Sequence, residues 1–289
     1  MATKQAISPV IWVQALRPKT LMASFSPVLI GASFAFKAGS FSLFYVLVTL
    51  FVALGIQITA NLANDYFDFA KGADTPTRKG PVRVTQAGLI SPEKMKQAIL
   101  VTVLLTSLLS SLLILRGGTL IATLSSLSIL LALGYTTGPF PLAYLGLGDL
   151  FVLFFFGPIA TGGTYFLQTG ELFFPVIAAG IGCGLISTAI LTVNNVRDID
   201  EDRVAHKKTL SVRFGKSFGK WEYTLALLLA PIPACFSGLF LPLLMLVLAI
   251  PLIRTIWKNE SAHILNQLLA KTAALLGLYT VLVILSLCT

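Results

Sequence analysis

Polar residues do not alternate with apolar ones along this chain; they gather between long stretches that carry no charge. Phe41 to Ala63, Leu150 to Gly170 and Leu172 to Val196 are all uncharged, and each reaches the roughly 20 residues a helix needs to cross bilayer hydrocarbon. A half-buried soluble helix would show a polar face at a period of about 3.6 residues, and these runs show none. The pattern predicts an all-α integral membrane protein. Its first span is Thr20 to Phe36, closed by Lys37 and Gly39. The second runs from Phe41 to about Asp68 and stops at Gly72, a glycine just past the last turn. Ser91-Pro92-Glu93 is a helix start, with a capping hydroxyl, a proline in the first turn and an early acid, and leads into a third span over Gln97 to Leu115. Thr119 to Tyr135 is the fourth, broken by Thr137-Gly138-Pro139-Phe140-Pro141. Spans five and six follow, separated near Gly170-Glu171.

Tyr223 to Ile253 is 31 uncharged residues punctuated by Pro231, Pro233, Gly238, Pro242 and Pro251. It is long for one crossing and tight for two, unless Phe218 to Glu222 and Arg254 to Trp257 extend the helices into the interface. Charge decides. With nine spans and a cytoplasmic N-terminus, 19 of the 21 basic residues fall on the inner side and only Lys37 and Arg116 outside. That asymmetry is the positive-inside rule, so two spans are expected, with a ninth over about Thr272 to Leu287.

Composition agrees: 56% of residues are hydrophobic and 11% charged, against roughly 25% charged in soluble domains. We read one membrane domain over 1–289, without a cleavable signal, in the inner (cytoplasmic) membrane. The net charge of +9 follows from topology and suits anionic lipid; no nucleic-acid motif accompanies it. Cys183, Cys235 and Cys288 have no ligand or pairing spacing and read as small core residues.

Against this background two clusters stand out, Asn61 to Asp68 and Asn194 to Asp202, which hold six of the twelve acidic residues. Carboxylates at a membrane boundary are costly and mark function. On a helix, Asn61, Asp65 and Asp68 fall within roughly 60° of one another, and Asn194, Asp198 and Asp202 within about 80°. Gln57 extends the first face one turn deeper. Hard oxygen donors without thiolate or imidazole favour Mg²⁺, which takes one or two carboxylates plus substrate phosphate oxygens. Lys71, Arg78 and Arg83 follow the first cluster, and Lys207, Lys208 and Arg213 the second; cations so placed suit a diphosphate. His206 and His263 read as surface residues. Tyr135 and Tyr144 flank the glycine-proline break before Asp149; these three, with Gln57, are candidates for holding a phenolic acceptor.

The chain resembles the UbiA superfamily of intramembrane aromatic prenyltransferases. The paired clusters carry the likeness, with Arg17-Pro18-Lys19-Thr20-Leu21, Lys71-Gly72, Gly80-Pro81-Val82-Arg83, Gly138 to Pro141, Tyr144 to Asp149, and Asn194-Asn195 through Lys208-Thr209-Leu210. One departure is Gly72, where many relatives carry a third acid; the nearest here is Asp74. The resemblance implies a nine-helix bundle around a central cavity, Mg²⁺, and a polyprenyl diphosphate donor. It implies metal and diphosphate binding by Asn61, Asn64, Asp65, Asp68, Asn194, Asp198 and Asp202, and diphosphate contacts from Lys71, Arg83 and Lys208. The acceptor it suggests is 1,4-dihydroxy-2-naphthoate, prenylated with loss of carbon dioxide to give demethylmenaquinone. The alternatives are another aromatic acceptor, such as 4-hydroxybenzoate or a different dihydroxynaphthoate, or, from another class, a membrane transporter.

Overall fold

The computed structural model describes residues 8–73, 79–139 and 141–288, and every regular element among them is helical. In chain order the helices are α1 (Pro9–Leu16), α2 (Pro18–Lys37), α3 (Leu43–Ala70), α4 (Pro92–Gly134), α5 (Leu142–Leu145), α6 (Gly148–Phe154), α7 (Ala160–Thr169), α8 (Phe174–Arg197), α9 (Ile199–Val204), α10 (Leu210–Phe214), α11 (Lys216–Leu229), α12 (Ile232–Cys235), α13 (Met245–Lys258) and α14 (Ala262–Cys288). A π-turn, Phe155–Ile159, joins α6 to α7.

Seven helical stretches among the described residues are long and apolar enough to cross a membrane, against the nine spans expected. The difference lies in two places. α4 is continuous over 43 residues but breaks at Gly118, whose φ of 62° and ψ of −149° are not helical; only glycine takes that backbone without strain. The break falls between the expected third and fourth spans. α11, at 14 residues, is too short alone and continues past Pro231 into α12, while Leu241–Leu244 turns into α13.

α8 is the axis of the bundle, with 17 of its 24 residues buried. The main core joins Ile186 and Val193 of α8 to Ile30 of α2, Tyr223 and Leu227 of α11, Met245 of α13, and Leu268 and Tyr279 of α14. Small residues let the backbones close: a Cβ on Gly157 of the π-turn would meet the Gly180 carbonyl at 2.7 Å and Gly184 Cα at 2.9 Å. α4 lies outermost, its Leu100, Leu104, Leu108 and Leu115 exposed, as a lipid-facing helix requires.

Three expectations change. α1 was not foreseen; it precedes the first expected span and is capped by Arg17, whose φ of 52° is left-handed. α8 stops at Arg197, with Asp198 at φ −97° and ψ 11° between it and α9, so Asn194, Asp198 and Asp202 do not share one uninterrupted helix. Of the cysteines only Cys183 is buried; Cys235 is half-buried and Cys288 exposed.

Candidate active site

The lower rim of the site is built from amides. Asn61 Nδ2 donates to the Leu16 carbonyl at 2.9 Å and to Thr20 Oγ1 at 3.2 Å, and Gln57 Nε2 reaches Thr20 Oγ1 at 3.3 Å. These bonds satisfy a carbonyl left open where α1 ends, which is why the left-handed Arg17 can sit there. Asn64 accepts from the Thr136 hydroxyl. The carbonyl of Thr136 in turn accepts from Lys71 Nζ at 2.5 Å.

The two acids of the first cluster do different things. Asp65, 2% exposed, accepts from the backbone N–H of Val84 at 3.2 Å and of Thr85 at 3.0 Å. It therefore pins the loop that carries Arg83. Asp68, also 2% exposed, accepts from Lys207 Nζ at 2.9 Å, Arg83 Nη2 at 3.4 Å and Tyr144 Oη at 3.4 Å. Lys207 comes from the second basic loop, so the two motifs meet at this carboxylate although Lys207 and Asp68 are 139 residues apart in sequence. A left-handed residue makes the approach: His206 at φ 57° reverses the chain just before Lys207, a conformation uncommon outside glycine.

In the second cluster, Arg197 grips Asp198 through Nε at 2.6 Å and Nη2 at 2.7 Å, while its Nη1 reaches Asn266 at 2.6 Å. Asp202 stands 3.9 Å from Lys207. Asn195 Nδ2 donates to Asp149 Oδ1 at 3.2 Å. A second bridge joins the loops outside the spans: Lys79 Nζ lies 2.8 Å from Asp200, and its backbone N–H 2.5 Å from Glu201 Oε1. The hydrogen bond from Lys79 holds the Asp200 carboxyl below its ordinary range, and Asp200 raises Lys79 in return.

Beneath this layer lies a cavity of about 300 Å³. Arg17, Thr20, Gln57, Asn61, Asn64 and Asn194 line its polar end, and Val52, Leu113, Ile121, Phe155 and Leu167 lie along its apolar length.

The expected residues thus divide. Asn61, Asn64, Asn194, Gln57 and Tyr135 border the cavity. Asp65, Asp68, Asp198 and Asp202 form the layer of ion pairs and hydrogen bonds just described. Lys71 and Lys207 stack on Tyr144, 4.2 Å and 5.6 Å from its ring centre. Tyr144 and Asp149, expected near an acceptor, are not among the residues lining the cavity: Tyr144 belongs to the charged layer and Asp149 is hydrogen-bonded to Asn195 and Thr188 of α8. Lys208 and Arg213 are exposed; the first offers its backbone N–H to the Tyr144 carbonyl at 3.3 Å and the second its guanidinium to the Leu145 carbonyl at 2.7 Å. Arg78 and Asp74 lie outside the described residues. Arg17, Thr20, Lys207 as the contact to Asp68, and Arg197 were not picked out as site residues. The signal for the first two was the Arg17-Pro18-Lys19-Thr20-Leu21 stretch that carries part of the likeness, and nothing local separates Lys207 from Lys208.

The donor set fits a hard cation. It consists of carboxylate and amide oxygens, although among the described residues no three or more His, Cys, Asp or Glu are grouped so as to hold a metal ion by themselves. Such a set leaves coordination positions for water and phosphate oxygens, the usual habit of Mg²⁺. The cations now on Asp68 and Asp198 supply the compensation that a metal would share.

Known proteins resemble the chain in sequence and in fold. Residues 24–267 match the model of the UbiA prenyltransferase family. The chain is 41% identical over 221 residues to the 1,4-dihydroxy-2-naphthoate octaprenyltransferase of Escherichia coli (strain K12), covering 74% of this chain and 72% of that protein. It is 33% identical to the human UbiA prenyltransferase domain-containing protein 1, over 93% of this chain and 82% of that one. In fold it is similar to a UbiA homologue from Aeropyrum pernix K1, with a TM-score of 0.69, 16% identity and coverage of 92% and 98%. It is also similar to one from Archaeoglobus fulgidus solved with GPP and Mg²⁺, with a TM-score of 0.65, 13% identity and coverage of 96% and 100%.

Proposed function

Because the chain belongs to the UbiA prenyltransferase family and is thus an enzyme that transfers prenyl groups, we propose that it moves a polyprenyl group from polyprenyl diphosphate to 1,4-dihydroxy-2-naphthoate. The observation that carries the choice of acceptor is the likeness, at 41% identity, to a relative of that activity. The transporter alternative is set aside by family membership. Asn61, Asn64, Asp65, Asp68, Asn194, Asp198 and Asp202 are the residues to hold Mg²⁺, which when bound offsets the charge of the diphosphate. Lys207, Lys71 and Arg83, converging around Asp68 and Tyr144, are the groups to take its oxygens as the allylic C–O bond breaks.

The apolar length of the cavity receives the prenyl chain and keeps water from the allylic cation. The ring carbon bearing the carboxylate attacks that cation. A C–C bond forms, carbon dioxide leaves with its electron pair returned to the ring, and the product is demethylmenaquinone in its reduced form. The chain is a multi-pass membrane protein; nine crossings, a cytoplasmic N-terminus and a site on the cytoplasmic face of the inner membrane are part of the same proposal.

Incubating the purified protein with a polyprenyl diphosphate, Mg²⁺ and, separately, 1,4-dihydroxy-2-naphthoate, another dihydroxynaphthoate and 4-hydroxybenzoate decides the acceptor. Transfer to the first with release of carbon dioxide is expected. Transfer only to another acceptor overturns the choice, and chelation that leaves turnover intact overturns the metal requirement.

A further inference from the structure

Between the first turn of α2 and the first turns of α14 lies a second, open cleft of about 420 Å³, lined by Lys19, His263, Asn266, Gln267, Ala270 and Lys271. It has no part in the chemistry above. Its polar groups are mostly donors. Each lysine carries three N–H donors and no acceptor. Asn266 turns its carboxamide oxygen to Arg197 Nη1 at 2.6 Å, which leaves its N–H2 group to donate. His263 and Gln267 are bonded to each other at 3.0 Å. No carboxylate lines the cleft, and among the described residues neither Lys19 nor Lys271 has an ion-pair partner. Glu260, the acid nearest to α14 in sequence, is taken by Lys216 and Lys220. Two ammonium groups, a carboxamide donor and no acid make a cleft for an anion.

The height of the cleft suits the phosphate of a membrane lipid. Lys19 directly precedes the first span expected from the sequence, Thr20 to Phe36, and Lys271 directly precedes the ninth, Thr272 to Leu287. Both ammonium groups therefore stand where apolar helix gives way to headgroups. Below them an apolar track begins. His263, Gln267, Lys271, Ala274, Leu278, Val281 and Leu285 of α14 fall within roughly 80° of one another. Ala274, Val281 and Leu285 are exposed and Leu278 is half-buried. A soluble anion would use only the upper part of this face. A lipid uses all of it, with its phosphate between the lysines and an acyl chain along the stripe; basic pockets between spans take anionic headgroups in this way.

The cleft is also tied to the charged layer. Asn266 holds Arg197, and Arg197 grips Asp198 at 2.6 Å and 2.7 Å. Two side chains thus separate a bound headgroup from a residue assigned to the metal.

We propose that this cleft binds the phosphodiester headgroup of an anionic membrane lipid, with an acyl chain on the α14 stripe, and that occupancy steadies Asp198 through Asn266 and Arg197. The coupling to Asp198 rests on the prenyl-transfer reading; the binding does not.

Native mass spectrometry of the full chain in detergent, titrated with dioleoylphosphatidylglycerol, reads binding without turnover. The first lipid should bind about 30-fold more weakly to Lys19→Gln/Lys271→Gln, the share of two lysines at an anionic surface. Arg254→Gln/Lys258→Gln removes the same charge from exposed positions of α13 and should weaken binding less than about threefold. Equal losses in the two double variants, or dioleoylphosphatidylcholine bound as tightly as dioleoylphosphatidylglycerol, overturn the site. Inorganic phosphate should not displace the lipid; if it does, the ligand is a soluble phosphate and the lipid assignment falls. In nanodiscs, replacing part of the phosphatidylcholine with phosphatidylglycerol should raise wild-type turnover about fivefold and leave Lys19→Gln/Lys271→Gln unchanged. A wild type without that response, or a double variant that shares it, overturns the coupling. Because the bound lipid is counted without turnover, loss of the site is distinct from a failure to find prenyl transfer.

Discussion

A carboxylate buried as deeply as Asp68 loses its hydration, a cost that opposite charge nearby offsets. Lys207 and Arg83 supply it, one from each basic loop. Truncating one member of a buried charge pair costs about 3 kcal/mol, roughly 100-fold in an equilibrium or rate. Lys207→Met is therefore expected to lower kcat/KM for the diphosphate by about that factor, while Lys208→Met, at an exposed side chain, changes it less than about threefold; steady-state kinetics on the two variants checks the assignment. Reversed effects would return the role to Lys208, where the resemblance put it. Asp65 and Asp68 should part company as well. Asp65→Ala frees the amides of Val84 and Thr85, so hydrogen exchange in that loop rises; Asp68→Ala abolishes transfer and leaves those amides protected. The sequence showed both acids but not this division, because the partners of Asp65 are backbone groups 19 and 20 residues away and no residue type announces them.

At the scale of elements, the π-turn at Phe155–Ile159 fixes how α6 and α7 lie on α8. Gly157→Ala would drive a methyl into the Gly180 carbonyl, and overpacking of this kind costs about 1–3 kcal/mol; a lower midpoint of thermal unfolding in detergent is the expected outcome. The contact between the loop at Lys79 and α9 depends on pH. Asp200 is lowered by its bond to Lys79, so its contribution is present above the ordinary carboxylate value of 3.8 and is lost as pH falls through the lowered one. Lys79 is raised, so its contribution is present below 10.5 and is lost as pH rises through the raised value. Protection of the residue 79 amide against hydrogen exchange, measured relative to its intrinsic rate at each pH, should be greatest between these limits, and Lys79→Ala should remove that pH dependence of protection. Both groups are exposed, and salt weakens the contact. Apolar runs located most of the long helices to within a few residues, but α14 begins at Ala262, ten residues before the expected Thr272. They missed α1 and the π-turn, since eight residues beginning with proline and a Gly-Pro pair inside an apolar run have no periodic signature.

For the whole molecule, charge placement predicts that Lys37 and Arg116 lie outside and the loops at Lys79 and Arg213 inside. Single cysteines at these four positions, in a background without Cys183, Cys235 and Cys288, should be labelled by a membrane-impermeant reagent in intact cells only at the first pair. Labelling of the second pair would reverse the orientation. The sequence by itself determined the membrane class, the long helices and the two oxygen-rich clusters, because burial in lipid and the cost of a bare carboxylate act on residues one at a time. The tertiary structure decided which of those residues touch: Asp68 with Lys207, Asp65 with the backbone of the Arg83 loop, and Asp149 with Asn195 of α8. Contacts across the bundle depend on helix rotation and on single left-handed residues such as Arg17 and His206, and neither is encoded in local pattern.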